Sequence, residues 1–286
     1  MSAVGLAGVL NLRRSGREWR GACPACGYAS NAFALFEKSG RVRGWCASCG
    51  DRAAISGVLE RLQGGEAFQR PDPPPGPITP NLAQRTAAAL AVWSGAAPAG
   101  GTPAALYLAR RALPDLAAST ALRWRPDVAH PSGGGGRHAA MVALVTDVDG
   151  NPQAVHRTYL TRDGRKADLT PVKASKGPVA GGAIRLHPVA AEMVVAEGIE
   201  TAAAAGVLMG LPAWAAVAAG NLERTMMLPP EVRSVIIAGD PDPPGRAAAE
   251  GAARRWRAEG RRVRIAMPDT PPQDFNDLLM SQVSHG

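Results

Sequence analysis

The sequence predicts an α/β protein. A parallel sheet flanked by helices fills the C-terminal third, a mixed α+β segment precedes it, and a small cysteine-bearing β unit stands at the N-terminus. Three observations carry this reading. Two apolar runs, residues 193–196 and 232–238, stop at carboxylates and lead into alanine-rich helical segments, the pattern of buried parallel strands. All four cysteines lie in the first fifty residues as two CxxC pairs. Between these regions Asp72-Pro73-Pro74-Pro75-Gly76-Pro77 can neither continue a helix nor join a central strand. The expected division is therefore 1–63, a linker 64–80, a basic segment of helices and hairpins 81–188, and the parallel sheet 189–286.

Length and composition set the frame. The 286 residues suffice for one large domain or two modest ones, and 46% are hydrophobic. No apolar run of about 18 residues escapes charges or Pro/Gly breaks, so no membrane span is expected. Residues 1–12 carry no basic run before their apolar stretch, so a signal peptide is not expected either, and a cytoplasmic location is. The formal net charge is +8, almost all of it from arginine. Such a balance suits a polyanionic partner, although a coding bias towards Arg, Ala, Gly and Pro would produce the same charge.

The N-terminal unit comes first. Cys23, Cys26, Cys46 and Cys49 form the pattern C-x2-C-x19-C-x2-C. Two such knuckles suit a tetrahedral Zn2+ with four thiolates, closed and therefore structural. Two disulfides in an exported chain would use the same residues, but nothing here suggests export. Residues 32–37 and 41–45 read as a β-hairpin across Lys38-Ser39-Gly40, making the whole a zinc ribbon. The hairpin would present Arg41, Arg43 and Trp45 either to a nucleic acid strand or to solvent. A short helix is expected over 52–62. The stretch Gly16-Arg17-Glu18-Trp19-Arg20-Gly21-Ala22-Cys23-Pro24-Ala25-Cys26, with Trp45-Cys46-Ala47-Ser48-Cys49-Gly50-Asp51, resembles the zinc-binding domain of bacterial and phage primases. Many of those have histidine as second ligand where this chain has Cys26.

In the middle segment a helix is expected over 81–94, capped by Asn81, with Leu82, Leu90 and Trp93 near one face. Thr102-Pro103 reads as N-cap and first-turn proline of a helix reaching Arg111. Its phrase Ala105-Leu106-Tyr107-Leu108-Ala109-Arg110-Arg111-Ala112-Leu113 resembles the helix opening the primase catalytic core. Residues 139–147 and 153–160 read as paired strands around an Asp149-Gly150 turn. The glycine-rich segment 173–186 holds Lys173 and Lys176. With His156, Arg157 and Arg185 they are expected to face template or nucleotide phosphates, the alternative being a solvated loop. No G-x4-G-K-[ST] occurs, so ATPase chemistry is not expected.

The C-terminal segment alternates. Strand 193–196 ends at Glu197-Gly198, helix 201–209 follows, and strand 213–219 leads to Gly220-Asn221. Strand 232–238 ends in Asp240-Pro241-Asp242, helix 246–259 follows, then strand 262–267 and Gln273-Asp274-Phe275-Asn276-Asp277. Asp240 and Asp242, two apart, would point the same way on a continuing strand and form a nest of oxygen ligands suited to Mg2+. Pro243-Pro244 would stiffen the loop before Gly245. The order Glu197-Gly198, Asp240-x-Asp242, Gly245, Asp274 resembles the Toprim domain of bacterial-type primases, topoisomerases and some nucleases, most closely in its plasmid and phage primase form. The fold this resemblance implies is a Toprim-type parallel sheet flanked by helices, preceded by the mixed α+β subdomain and the β zinc ribbon. It also implies Glu197 as general acid/base, Asp240, Asp242 and Glu197 around Mg2+ or Mn2+, Asp274 and Asp277 as further contacts, Glu200 as an extra ligand and Asn221 near phosphate. The activity it implies is a DNA primase-like nucleotidyltransferase, which makes short RNA primers from NTPs on a single-stranded DNA template, with a replicative helicase acting in trans. A Toprim nuclease and a non-catalytic nucleic-acid-binding module remain as alternatives.

Overall fold

The computed structural model describes residues 2–16, 18–27, 32–38, 40–46, 50–68, 82–132, 136–268 and 274–284. Ser39, Cys49, Asn81, Gln273 and the proline run 72–77 lie outside the described residues. The chain divides into two compact units, Met1–Thr79 and Pro80–Gly286.

The first unit contains α1 (Ala3–Val9), β1 (Arg13–Ser15), β2 (Glu18–Gly21), β3 (Phe33–Lys38), β4 (Arg41–Cys46) and α2 (Arg52–Gln63). The strands form one antiparallel sheet in sequence order. The hairpin β3–β4 and helix α2 stand where the sequence predicts them, whereas α1 and the β1–β2 hairpin are additions. Asp51 caps α2 by accepting from the Ala54 amide at 2.9 Å. Ile55, Leu59 and Leu62 recur at helical spacing and pack with Leu6, Phe33 and Leu35. Gly44 makes this approach feasible: a Cβ there would lie 2.7 Å from the Phe33 ring and 2.9 Å from Ile55.

The second unit opens with α3 (Leu82–Ser94), β5 (Ala97–Pro98), α4 (Pro103–Ala109), a 3-10 turn Pro114–Ala118, β6 (Leu122–Ala129), β7 (Arg137–Thr146), β8 (Pro152–Tyr159) and β9 (Lys173–Lys176). Strands β5 to β9 make an antiparallel sheet in that order. Thr102 caps α4 as expected, but the helix ends at Ala109. The face of α3 differs from expectation. Leu82 is exposed, and Ala89 is the residue buried, packed with Val128, Val142, Val155 and Tyr159, because a small side chain lets the helix lie close on β8.

The remainder is β10 (Ile184–Arg185), β11 (Glu192–Ala196), α5 (Ile199–Met209), β12 (Ala213–Ala215), α6 (Ala219–Arg224), β13 (Ser234–Ala238), α7 (Pro243–Ala258), β14 (Arg262–Ala266) and α8 (Phe275–Ser284). The sheet order is β10-β12-β11-β13-β14, parallel except for the edge strand β10. Both faces are covered, which is why these strands read as unbroken apolar runs. Val194 and Ala196 face a core shared with the mixed segment, and Met193 and Val195 face α7 residues such as Ala249 and Trp256.

Two further element boundaries bear on the site. The strand expected over 213–219 stops at Ala215, and α6 takes in Gly220 and Asn221. Helix α7 starts at Pro243, not Arg246. The two prolines occupy its first turn, where amide hydrogens have no helical partner and are not missed. Among the described residues no helix is long and apolar enough to cross a membrane.

Candidate active site

In the first unit the sulfurs of Cys23, Cys26 and Cys46 all lie within 4.8 Å of one another, with Cys26 Sγ 4.0 Å from Cys46 Sγ. Each knuckle closes the same way: the Gly27 amide donates to the Cys23 carbonyl at 2.9 Å and the Gly50 amide to the Cys46 carbonyl at 3.0 Å. Tetrahedral Zn–S bonds of roughly 2.3 Å put sulfurs about 3.8 Å apart, so the three sulfurs fit that ion. Burial pushes the Cys23 thiol far above its ordinary range, so a thiolate there needs a cation beside it.

Arg41, Arg43 and Trp45 leave one face of β4, alternating with Val42 and Gly44. Across the register Phe36 lies opposite Arg43, and Ala34 lies opposite Trp45 and beside Arg20. Together with Arg52 these residues line a cleft of about 1200 Å³, and Trp45 is 42% exposed. The cleft thus sets two aromatic rings among four arginines and three glutamates, Glu18, Glu37 and Glu60, with Arg20 paired to Glu18 at 2.9 Å. Sequence reasoning missed Phe36 and Arg20, although the period of two would have placed them on this face.

In the second unit the parallel strands end level: Ala196 pairs with both Ala215 and Ala238, and Ala238 pairs with Ala266. Glu197 therefore emerges next to the turn that carries Asp240 and Asp242. These three and Asp274 line a cleft of about 480 Å³ with Arg111, Lys166 and Lys173. Asp240 and Asp242 do not sit on a continuing strand as expected, because β13 ends at Ala238. Asp242 is the N-cap of α7 and accepts from the Gly245 amide at 2.7 Å. A Cβ at Gly245 would lie 2.6 Å from the Asp240 carbonyl oxygen, so only glycine fits this turn. Asp274 and Asp277 cap α8 reciprocally: the Asp277 amide donates to Asp274 Oδ1 at 2.9 Å, and the Asp274 amide donates to Asp277 Oδ2 at 3.3 Å.

The acids repel one another. Burial, then Asp240 and Asp242, raise Glu197 above its ordinary value, against a hydrogen bond from the Ala219 amide. Burial, then Asp274 and Asp242, raise Asp240, against Lys173 and the Thr201 hydroxyl. A hard divalent cation would relieve this repulsion, and the oxygen donor set fits Mg2+ or Mn2+. Among the described residues only the cysteines converge to within 4.8 Å. The carboxylates stand wider around the cleft, which suits an ion that keeps several waters or shares phosphate oxygens.

Several residues expected at phosphates are committed elsewhere. Arg157 is buried, and its Nε, Nη1 and Nη2 donate to the carbonyls of Ala174, Ala129 and Ser175. Arg185 donates to the Asp147 and Val148 carbonyls and stacks 4.4 Å over Trp214. Asn221 is buried, donating to Gly182 and Ala216 and accepting from the Gly181 amide and the Thr225 hydroxyl. Arg157 joins backbone carbonyls of β6 and β9, and Arg185 and Asn221 close backbone turns, so the structure gives all three backbone partners where phosphates were expected. Lys176 is three residues from Lys173 on one strand and leaves by the opposite face; it does not line the cleft. His156 bonds Ser175 Oγ through Nδ1 at 3.0 Å. Glu200 does not offer itself as an extra ligand, because Tyr107 and Lys173 take its two oxygens at 2.5 and 2.9 Å. The cations the sequence did not single out are Arg111 and Lys166. Arg111 is steadied by the fully buried Asn276, whose side chain donates to its carbonyl at 2.7 Å.

Residues 192–284 match the Toprim domain, and residues 83–186 match the domain of unknown function DUF7146. No curated protein matches the sequence. The zinc-binding and RNA polymerase domains of the Aquifex aeolicus primase align at 14% identity with a TM-score of 0.51, over 98% of this chain and 80% of that one. The primase fragment of the bacteriophage T7 primase-helicase aligns at 17% identity and a TM-score of 0.43, over 94% and 96%. A Pseudomonas aeruginosa DNA primase domain aligns at 16% identity and 0.45, over 69% and 74%. The Aquifex alignment shows a shared fold along almost the whole chain. With the Toprim match and the three converging cysteines, it bears out the resemblance to Toprim primases carrying an N-terminal zinc ribbon.

Proposed function

We propose that this protein is a primase-type nucleotidyltransferase that makes short RNA primers on single-stranded DNA. The observation that carries the reading is the mixed lining of one cleft, in which Glu197, Asp240, Asp242 and Asp274 share the wall with Arg111, Lys166 and Lys173. A divalent cation bound there, Mg2+ or Mn2+, would supply Lewis acidity at the transferred phosphoryl group and lower the pKa of the attacking 3′-hydroxyl. Asp240, Asp242 and Asp274, with Glu197 beside them, are the residues to hold it. Glu197, whose carboxyl is raised by burial and by Asp240 and Asp242 and so holds a proton more readily than an ordinary carboxylate, is also assigned the general acid/base role. The three cations bind and orient the triphosphate, whose charge is larger and more concentrated than that of a diester backbone. This favours polymerisation over nuclease chemistry, which would put water in place of the ribose hydroxyl. In the first unit the zinc-held sheet presents Trp45, Arg41 and Arg43 to a template strand, where bases stack and phosphates pair.

Labelled NTPs with a single-stranded template and Mg2+ or Mn2+ are expected to yield short oligoribonucleotides, and Asp240→Ala is expected to abolish them. Degradation of the template without NTP incorporation would replace this reading with the nuclease. Template binding with neither activity would replace it with a passive module.

A further inference from the structure

Glu200 sits in the wall of the cleft on the first turn of α5, only 6% exposed. The Tyr107 hydroxyl, from α4, donates to Oε1 at 2.5 Å, and the Lys173 ammonium, from β9, donates to Oε2 at 2.9 Å. Burial and the Glu200 charge push the Tyr107 phenol up, so it stays protonated and donates. Lysine is a compact charge on a flexible four-carbon stem, and nothing in its own geometry fixes where the ammonium rests. The charge of Lys173 is already felt at Glu197 and Asp240, where it favours the ionised forms. A Lys173 free to swing would pair with those carboxylates and compete with a divalent cation for them. Glu200 outbids them because it is buried, ionised and held by a second donor.

We propose that Glu200 and Tyr107 are positioning residues that hold the Lys173 ammonium clear of Glu197 and Asp240. Those carboxylates then stay available to a divalent cation, and Lys173 stays turned towards the triphosphate. The proposal rests on the reading of the acids as a metal site.

The test is Mn2+ binding to the full, zinc-loaded chain without nucleotide, followed by electron paramagnetic resonance. Glu200→Gln keeps an acceptor for Tyr107 but loses the charge, and is expected to weaken Mn2+ binding about tenfold, the ordinary scale of coupling between charged neighbours. Adding Lys173→Met to Glu200→Gln removes both charges and is expected to restore wild-type affinity or better. A purely structural role would show no such reversal. Equal affinity in wild type and Glu200→Gln, or a double variant as weak as the single one, overturns the proposal and leaves the metal-site reading intact. A wild-type chain that binds no Mn2+ removes the metal-site reading and this proposal with it. Should Glu200→Gln fail to fold, Tyr107→Phe takes its place: a weakening of roughly twofold, reversed by Lys173→Met, supports the proposal, and no change overturns it.

Discussion

Asp242 accepts a hydrogen bond from the Gly245 amide at 2.7 Å, so one carboxylate both lines the acidic cleft and starts helix α7. The two roles separate by substitution. Asparagine caps a helix about as well as aspartate, whereas alanine costs on the order of 1 kcal/mol. Asp242→Asn is therefore expected to keep the wild-type Tm while losing most primer synthesis. Asp242→Ala is expected to lose both, with a melting midpoint lower by a few degrees. Thermal melts beside a primer assay check this pair, and equal activity in wild type and Asp242→Asn would remove Asp242 from the chemistry.

Gly245 carries a related expectation. The Cβ of Gly245→Ala would meet the Asp240 carbonyl oxygen at 2.6 Å and Asp242 Oδ1 at 2.9 Å, and neither atom belongs to a long flexible side chain. The turn must open, moving both aspartates. Activity is expected to fall at least a hundredfold, the scale of misplacing reacting groups by about 1 Å. The primer assay checks it, and a variant with near wild-type turnover would show that the turn need not be tight.

These details mark the limit of what the sequence reveals. An apolar run ending in a carboxylate and followed by a glycine is a local pattern, so Glu197, Asp240 and Asp242 were legible. So was the cysteine-bearing hairpin, because cysteine spacing and strand alternation are both local. The helix cap at Asp242 was not, since Pro243-Pro244 reads equally as a rigid loop or as a first helical turn. The arginines misled for another reason. Composition tells that a guanidinium is present, but not that Arg157 spends its donors on three carbonyls. Arg111 and Lys166 reach the cleft only through the packing of the mixed segment on the parallel sheet, a long-range relation that no short motif encodes.

Acid stability should bear the mark of Glu200. Burial alone would raise its pKa, but Lys173 and the Tyr107 hydrogen bond override it and hold the carboxyl at about 2, against an ordinary 4.5. A folded-state pKa below the unfolded one means that the unfolded chain takes up the proton first. The stabilisation is therefore complete above about pH 4.5 and is lost as pH falls towards 2. Glu197 and Asp240 are raised instead, so their contribution has the opposite sign. Urea midpoints for the second unit between pH 5 and 3 are expected to fall more gently in Glu200→Gln than in wild type. Parallel curves would show that the pair contributes no pH-dependent stability.

Template binding by the first unit is expected to depend on Trp45 and Arg43 in different ways. Loss of a stacking aromatic typically costs ~1–3 kcal/mol per base, with little change in salt dependence. Arg43→Ala should instead lower the slope of log affinity against log salt by about one phosphate contact. Fluorescence anisotropy of a labelled single strand, titrated at several salt concentrations, separates the two. Wild-type affinity in Trp45→Ala would leave this face without a stacking role.

Zinc removal is expected to split the melting behaviour of the chain. Cys23 and Cys46 are buried in the core of the first unit with Phe33, Leu35 and Ile55, so a metal held by them would be part of what that small core is built on. A core of this size seldom holds a fold without a metal or a disulfide. The second unit has its own cores and no cysteine. Chelation, or Cys23→Ser, is therefore expected to unfold the first unit while the second keeps its cooperative transition. Metal analysis should find about one zinc per native chain and none in Cys23→Ser, in keeping with a closed four-ligand site. Primer synthesis should fall with the loss of template capture, whereas Mn2+ binding at the acidic cleft should persist. If chelation left the amide-exchange protection of residues 33–46 unchanged, the cysteines would not be holding a structural metal.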